Sequence, residues 1–304
     1  MVRCEVQRVQ IEQGIARGVE AVCQGAGQAH PVAIRARRVV LAAGALHTPA
    51  LLLRSGLSHA QIGQNLHLHP ATAVYGRYKE PIQGWSGVLM SRAVRSLSNL
   101  DGRGYGVLLE TAPLHPGIAA MNLPWQSGYQ HKATMRQLAH LANIVIITCD
   151  RYGGRVVLNS QGAPRVHYTL SPYDAKHLMT GILEALRIHA AAGAHELSAP
   201  YTLPYLYHPG QSPQPLEAYL AAIQARGLPR NAFALLSAHQ MASCRMAANA
   251  RQGALRPSGE TWEIRHLYVA DASALPTAPG VNPMLTIMAL AYCTAEAVLA
   301  SLPQ

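Results

Sequence analysis

The sequence predicts a mixed α/β fold in two parts, and three observations support that prediction. β-prone runs fill the first 41 residues, helical spacing dominates the C-terminal end, and Gly, Pro and Tyr are frequent from about 71 to 234. At 304 residues and 49% hydrophobic content, the chain can bury the core of one large domain or two ordinary ones. We expect residues 1–70 and 236–304 to form one domain, and residues 71–235 an inserted domain whose β-sheet is covered by helices.

The composition argues against several classes of protein. The net charge is +10, but the basic residues are dispersed. Their densest group, Arg35, Arg37 and Arg38, has no interleaved aromatic residues to stack on bases, so nucleic-acid binding is not expected. No apolar run reaches about 18 residues, since even the last helix carries Glu296, and therefore no transmembrane segment is predicted.

The cysteines bear on the redox compartment. The five are scattered and none forms a Cys-x-x-Cys pair. They are Cys4, Cys23, Cys149, Cys244 and Cys293. An odd, dispersed set predicts neither a disulfide framework nor a zinc site, and it favours a reducing, intracellular compartment.

The N-terminal region is expected to form a β-meander. Apolar and polar residues alternate over residues 1–41, with Gly14 at a turn, and the third strand is expected to end at Leu41. Small residues around Gly44 follow, and then a helix from Ala50 to Ser55. Small residues at the carboxyl end of a strand allow a ligand to approach the backbone, as at nucleotide sites of open α/β sheets, although tight strand-to-helix packing is the commoner reason for them.

Two histidines follow this helix. His67 and His69 alternate along an extended segment, so their side chains share one side of it and a metal site must be considered. With no third ligand nearby, no metal site is predicted. The resemblance described below instead implies that this segment is a structural turn.

The middle region reads as strands followed by a long helix. Ala142–Cys149 and Arg155–Leu158 are strand-like, and a turn at Asn159–Gly162 suggests a hairpin. A helix is predicted from Pro172, with Ser171 as its N-cap, to Ala192. The Pro- and Tyr-rich stretch 201–214 is an irregular loop that could be either a lid or a plain surface crossover.

The C-terminal stretch combines a short strand, a loop and an apolar helix. Asp271 follows the strand and could hydrogen-bond a ribose or ribityl hydroxyl, or cap the turn after it. Asn282 is a favourable N-cap, Pro283 suits the first helical position, and no Gly or Pro interrupts residues 284–300. The free amides and partial positive charge at such a helix start would suit a negatively charged ligand.

Four phrases of the sequence resemble signatures of the glucose-methanol-choline (GMC) flavoprotein oxidoreductases, and among these the long-chain fatty alcohol oxidases most closely. The phrases are GALHTPALLLRSGL from Gly44, HQMASCRM from His239, GETWE from Gly259 and LYVADASALPTAPGVNPMLTI from Leu267. The resemblance covers nearly all of this chain. It implies a partial Rossmann-like domain that binds FAD, together with a substrate-binding domain.

The resemblance also implies an activity and a site. The expected reaction is oxidation of a primary, long-chain alcohol to the aldehyde by hydride transfer to FAD. His239 is the expected base and Asn282 the hydrogen-bond donor to the substrate oxygen, while the start of the last helix stabilises negative charge on the reduced flavin. The expected contacts to FAD come from short backbone segments, namely Gly44, Ala45, Asp271, Ala272, Asn282, Pro283 and Met284.

The sequence also departs from the family pattern. It has no G-x-G-x-x-G segment, so we expect either a separate chain to carry that segment or the polypeptide to be a truncated, non-catalytic fragment that cannot bind FAD alone. Either case predicts an exposed apolar patch where the segment would pack. Ala242 and Ala247 stand where the family has glycine, and Ala242 is strained if its φ is positive. A lipid-like substrate is compatible with peripheral membrane association.

Overall fold

The computed structural model describes residues 2–25, 27–88 and 90–302. In chain order the strands are β1 (Cys4–Glu12), β2 (Ile15–Gly25), β3 (Gln28–Arg35), β4 (Val39–Leu41), β5 (Gln64–Leu66), β6 (Ala71–Arg77), β7 (Ala93–Val94), β8 (Val107–Glu110), β9 (Leu141–Thr148), β10 (Gly154–Leu158), β11 (Pro164–His167), β12 (Glu196–Ser198), β13 (Leu206–Tyr207) and β14 (Leu267–Val269). The α-helices are α1 (Gly44–Arg54), α2 (Pro116–Asn122), α3 (Gly128–Met135), α4 (Pro172–Ala191), α5 (Leu216–Arg226) and α6 (Met284–Ala300). The predicted mixed α/β fold is confirmed.

The chain divides into two compact units. Unit 1 contains the described residues of Met1–Leu68, Arg151–Thr169 and Ala238–Gln304, and unit 2 contains those of His69–Asp150 and Leu170–Ser237. We expected residues 71–235 to form one inserted domain, but the β10–β11 hairpin within that range belongs to unit 1. β10 pairs antiparallel with β5, placing Arg155 opposite Gln64. The sequence did not reveal this partner because it lies far from the hairpin along the chain.

The predicted β-meander is confirmed as an antiparallel sheet in the order β1-β2-β3. Its register places Cys4 directly opposite Cys23, with Cα atoms 4.0 Å apart, and the two form a disulfide. The expectation that no disulfide forms is therefore wrong. Cross-strand register, rather than sequence spacing, brings these two cysteines together, so a search for Cys-x-x-Cys pairs could not detect them.

The predicted third strand is in fact two strands. β3 ends at Arg35, and β4 begins at Val39 and pairs in parallel with β14, which comes from the other end of the chain. α1 begins at Gly44 rather than at Ala50, so Pro49 lies inside the helix. These elements contribute side chains to the core of unit 1, namely Leu41 from β4, Leu52 from α1 and Val269 from β14.

Unit 2 is built on a six-stranded sheet in the order β13-β12-β6-β9-β8-β7. α4 begins as predicted, with the Ser171 side chain accepting a hydrogen bond from the Asp174 amide and Pro172 in the first turn. Its apolar stripe packs on one face of the sheet, where Leu178, Ile182 and Leu186 meet Val74 and Ile146 in one cluster. Tyr75 and Leu141 belong to a separate cluster that includes Ala119 of α2.

The tyrosines of the stretch 201–214 pack into the core of unit 2. Tyr201 and Tyr207 are buried, and Tyr207 stacks on Tyr219 of α5 with ring centroids 5.0 Å apart. The Tyr201 hydroxyl donates to the carbonyl of Gly227, and the Arg226 guanidinium lies 4.3 Å from the centre of the Tyr201 ring. These contacts favour a crossover over a lid, although its tyrosines are packed and not, as a plain surface crossover would imply, exposed.

α6 exposes most of its apolar surface. Of its 17 described residues, Thr294 alone is buried, while Met284, Leu285, Met288 and Tyr292 are largely exposed. Thr294 is held closely against Gly259, where a Cβ atom would lie 2.6 Å from the threonine hydroxyl. The expected exposed apolar patch is thus present. Among the described residues, no helix combines the length and apolarity that a membrane span requires.

Candidate functional site

The parallel pair β4 and β14 places two loops of the predicted site side by side in unit 1. Leu41 lies opposite Val269 in the register, and the amide of Ala270 donates to the Leu41 carbonyl at 2.9 Å. Because parallel strands end at the same edge, the loops that follow must meet. One of these loops begins α1 at Gly44, and the other contains Asp271.

The Asp271 carboxylate connects these two loops. Its Oδ2 atom accepts hydrogen bonds from the Gly44 amide at 2.9 Å and from the Thr48 hydroxyl at 2.5 Å, and its Oδ1 accepts from the Ser273 amide at 2.8 Å. A negative charge at the start of α1 is favoured by the helix dipole. The capping alternative for Asp271 is therefore observed, and it extends to α1 as well as to the turn after Asp271.

The segment that follows His239 is tied to the residues after Asp271 by backbone hydrogen bonds. The amide of Ala242 donates to the carbonyl of Ala272 at 2.9 Å, and the amide of Cys244 donates to that of Ser273 at 2.8 Å. Cys244 is fully buried, and burial raises the pKa of its thiol to about 12, which suits a packed thiol rather than a nucleophile.

The same segment also contacts α1. The Ser243 hydroxyl donates to the Ala45 carbonyl at 2.6 Å, and Ser243 is fully buried. The Ser243 carbonyl in turn accepts from the Gly63 amide at 2.7 Å. The three site phrases that contain Gly44, Ala242 and Ala272 are therefore joined in one network in unit 1.

Ala242 has a left-handed backbone conformation, with φ of +66°. The sequence predicted strain at Ala242 if its φ were positive, and that condition holds. A residue with a Cβ atom is disfavoured in the left-handed region by about 1–2 kcal/mol. Ala242 is also fully buried. The surrounding hydrogen bonds hold it in this conformation.

His239 is half-buried in unit 1, two residues before a backbone bridge between Met241 and His67. Burial lowers the pKa of the His239 imidazole. A lowered pKa keeps the ring neutral, and thus able to accept a proton, at a lower pH than an exposed histidine.

Asn282 lies just before α6 but is not its N-cap. The helix begins at Met284, and Pro283, with φ of −86°, occupies the cap position without a side-chain cap hydrogen bond. The prediction that Asn282 caps the helix and that Pro283 is its first residue is therefore wrong by one position. The first intrahelical bond runs from the Ile287 amide to the Pro283 carbonyl. The Asn282 side-chain oxygen is shielded from solvent.

The start of α6 offers donors to a ligand. The amides of Met284, Leu285 and Thr286 precede the first intrahelical bond and have no acceptor among the described residues. No acidic residue lies in the first turn. The donor set and dipole at this helix start suit an anionic or electron-rich group.

Sequence reasoning missed Thr48 and Ser243. Both are small hydroxyl residues inside the motifs that predicted the site. Each hydroxyl bonds to a residue about 200 positions away along the chain, so its role becomes visible only in the folded structure. A signal for Ser243 was present, because Pro49 in a helix leaves a carbonyl four residues earlier without its usual donor. That residue is Ala45. The described residues contain no group of three or more His, Cys, Asp or Glu that could hold a metal ion.

Unit 2 contains a small, largely enclosed cavity of about 30 Å³ whose lining is more apolar than polar. Arg77 and Glu196 form an ion pair of 2.7 Å at its wall, and the buried Ser198 hydroxyl makes no hydrogen bond with the described residues. Tyr75 also lines it, and burial raises the pKa of this phenol to about 12. The cavity is large enough for about two waters.

Two family models match the chain, and together they cover most of it. Both describe a GMC oxidoreductase: the model of the N-terminal domain matches residues 1–71, and that of the C-terminal domain matches residues 150–291. The chain therefore belongs to the GMC oxidoreductase family.

Individual proteins are also similar to this chain. Long-chain-alcohol oxidase FAO3 of Arabidopsis thaliana is 34% identical over 298 residues, which are 94% of this chain and 39% of that protein. C-glycoside 3-oxidase of Arthrobacter globiformis is 26% identical over 294 residues, covering 94% of this chain and 50% of its own length. The chain thus spans about two fifths of the alcohol oxidase.

Solved structures share the fold. A formate oxidase variant of Aspergillus oryzae superposes with a TM-score of 0.70 at 17% identity, covering 98% of this chain and 60% of that one. Pyridoxine 4-oxidase of Mesorbium loti gives a TM-score of 0.66 at 17% identity, covering 99% and 58%. At this identity the likeness concerns the fold.

Proposed function

We propose that this chain is part of an FAD-dependent oxidoreductase that converts a primary, long-chain alcohol to its aldehyde. The observation that carries the proposal is the network in unit 1 that joins the His239 segment, the Asp271 loop and the start of α1. The 34% identity to a long-chain-alcohol oxidase supports the alcohol as substrate.

The residues present fit a bound FAD. Gly44 has φ of +80°, and the position of a Cβ there has no atom within 4 Å, so a ligand can approach this backbone. The proposed contacts are backbone segments at the two helix starts, namely Gly44, Ala45, Ala272, Asn282, Pro283 and Met284. Asp271 already accepts three hydrogen bonds from its own chain, so we assign its carboxylate the role of holding Gly44 and Thr48 in place.

Alcohol oxidation requires removal of a proton from the hydroxyl and of a hydride from the adjacent carbon. When bound, FAD supplies the hydride acceptor. We assign proton removal to a ring nitrogen of His239, which burial keeps neutral. Asn282 donates a hydrogen bond from its carboxamide to the substrate oxygen and orients it without adding charge. The open amides of α6 favour negative charge that develops nearby.

We further propose that FAD binding requires the segment that the relatives possess beyond the matched region. The exposed apolar face of α6 is the surface that such a segment would cover, because soluble proteins seldom leave so large a patch in water. Under the alternative, the chain is a non-catalytic fragment that binds no FAD.

FAD titration followed by flavin fluorescence separates these alternatives. We expect binding when the chain is co-expressed with a segment that carries the G-x-G-x-x-G region of a relative. In that complex, His239→Ala should lower turnover of a long-chain alcohol by about 10²-fold or more while FAD remains bound. The wild-type rate should fall as pH drops, with a midpoint below about 6.5. Absence of flavin from the complex, or near-normal turnover by His239→Ala, contradicts the proposal.

A further inference from the structure

Helices α2 and α3 of unit 2 form a small platform with exposed apolar side chains. Ala119 is the one buried residue among those described in α2, and the described residues of α3 include no buried one. Met121 is 84% exposed and Tyr129 is 88% exposed. Ile118, Trp125 and Leu203 are each more than half exposed. We call these five residues the apolar platform.

The apolar platform is an ordered part of the fold. The His131 ring nitrogen Nε2 lies 3.0 Å from the carbonyl oxygen of Ala120, which ties α3 to α2. The Trp125 amide donates to the Thr202 carbonyl at 2.9 Å, next to Leu203. Ser127 caps α3 by accepting from the Gln130 amide. Ordered backbone beneath exposed large apolar side chains indicates an interaction surface rather than a poorly packed loop.

The exposed charges of the chain segment that carries α2 and α3 are positive, and the nearby carboxylate of Glu196 is 12% exposed and paired with Arg77. No Asp or Glu occurs from residue 111 to 149, whereas Lys132 on α3 and Arg136, the C-cap of that helix, are exposed. Neither forms an ion pair with a carboxylate in the part of the chain that the structure describes. Positions 129, 132 and 136 fall on one helix face, so both cations share the side of Tyr129.

We propose that the apolar platform docks on an anionic lipid surface. Trp and Tyr favour the boundary between water and hydrocarbon, and neighbouring Lys and Arg are attracted to anionic headgroups. A protein partner is the less favoured occupant, because the cations have no acidic residues among them to pair across a symmetric contact between two copies. Docking on a lipid surface is a function separate from the proposed oxidation, since it requires neither FAD nor turnover.

Sedimentation with phosphatidylcholine vesicles, with and without phosphatidylglycerol, tests this proposal. We expect the chain to bind the anionic vesicles and to be released by salt. Each cation near the surface contributes about fivefold to partitioning, so Lys132→Gln with Arg136→Gln should weaken binding about 25-fold. Trp125→Ala with Tyr129→Ala should weaken it about tenfold or more, because both side chains lose their apolar contact. Circular dichroism should show an intact fold, since neither side chain is buried.

The exposed face of α6 provides the matched control. Met288→Ser with Tyr292→Ser removes comparably exposed apolar side chains from unit 1, and this variant should bind vesicles like the wild type. The proposal is overturned if the wild type ignores anionic vesicles, or if the α6 variant loses binding while the Trp125/Tyr129 variant keeps it. It is also overturned if ultracentrifugation shows a soluble dimer that the Trp125/Tyr129 variant abolishes without any vesicle binding.

Discussion

The Ser243 hydroxyl donates a 2.6 Å hydrogen bond to the carbonyl oxygen of Ala45, four residues before Pro49 in α1. A regular helix would satisfy this carbonyl with the amide of residue 49, but proline has no N–H. Ser243 therefore supplies the missing donor. By doing so it fastens the segment after His239 to the start of α1, where the cofactor contacts are proposed.

Removal of the Ser243 hydroxyl should destabilise unit 1. Ser243→Ala leaves a buried carbonyl without this donor, so we expect a loss of about 1–3 kcal/mol in the free energy of unfolding, measured by urea denaturation. Ser86→Ala is the control, because Ser86 is exposed and its hydroxyl donates to the carbonyl of Gln83 three residues earlier. It should change stability by less than about 0.5 kcal/mol. Equal effects of the two substitutions would show that Ser243 has no special role.

Ala242 is expected to tolerate glycine unusually well. Glycine relieves the disfavoured conformation at φ of +66°, and this gain offsets the loss of a buried methyl group and the greater freedom of the unfolded chain. We expect Ala242→Gly to change the free energy of unfolding by less than about 1 kcal/mol.

Ala50→Gly is the matched comparison for this substitution. Ala50 is also fully buried, but it lies inside α1, where glycine costs about 1 kcal/mol in helix propensity and about 0.8 kcal/mol in lost burial. The two variants should therefore differ by about 1–2 kcal/mol in denaturant unfolding. The same loss at both positions would contradict strain at Ala242.

The sequence predicted that Ala242 and Asp271 belong to the site, but it did not predict the partners of Asp271. Motif resemblance identified both positions and the family, because the motifs are contiguous in sequence. It could not decide what Asp271 binds, since Gly44 and Thr48 lie more than 220 residues away and meet it only through the β4–β14 pairing. The β-meander and α4 were predicted correctly because alternation and helix capping are local signals.

Other errors had equally physical causes. The helix after β4 was predicted to begin at Ala50, but it begins at Gly44 and includes Pro49, because a distant serine supplies the donor that the proline lacks. The disulfide was missed because Cys4 and Cys23 become neighbours only through strand register. The proposed pairing of His239 with Asn282 depends on the path of residues 275–283, a loop with little regular structure, and therefore stays a prediction.

Reduction of the Cys4–Cys23 disulfide should destabilise the β-meander. The bond closes a loop with a sequence separation of 19, and the chain-entropy estimate for such a loop is about 3 kcal/mol. We expect dithiothreitol to lower the free energy of unfolding by about that amount, measured by denaturant titration. The Cys4→Ser, Cys23→Ser double variant should already have the lower stability and should not respond to the reductant. A response of the double variant would assign the effect to another cysteine.

His189 should make the stability of the chain fall in mild acid. It lies on α4, is 2% exposed, and its Nδ1 is 2.9 Å from the Tyr78 hydroxyl, while a Cβ on Gly76 would lie 2.5 Å from that same nitrogen. Burial lowers the pKa of His189 to about 4, so the unfolded chain binds a proton between pH 6.5 and 4 that the folded chain does not. The free energy of unfolding is therefore undiminished by His189 above about pH 6.5. It decreases as the pH falls and levels off below about pH 4, where the folded chain also binds the proton.

The size of this effect follows from the shift in pKa. A pKa lowered from 6.5 to about 4 corresponds to a loss of about 3 kcal/mol in the free energy of unfolding between pH 7 and pH 4, measured by urea denaturation at a series of pH values. His189→Gln removes the titrating ring, so its stability, although lower at pH 7, should decline less steeply over this interval. His30→Gln, at an exposed position of β3, should keep the wild-type slope. Parallel curves for the wild type and His189→Gln would mean that His189 is accessible to protons in the folded protein, and its contact with Tyr78 would then have to open readily.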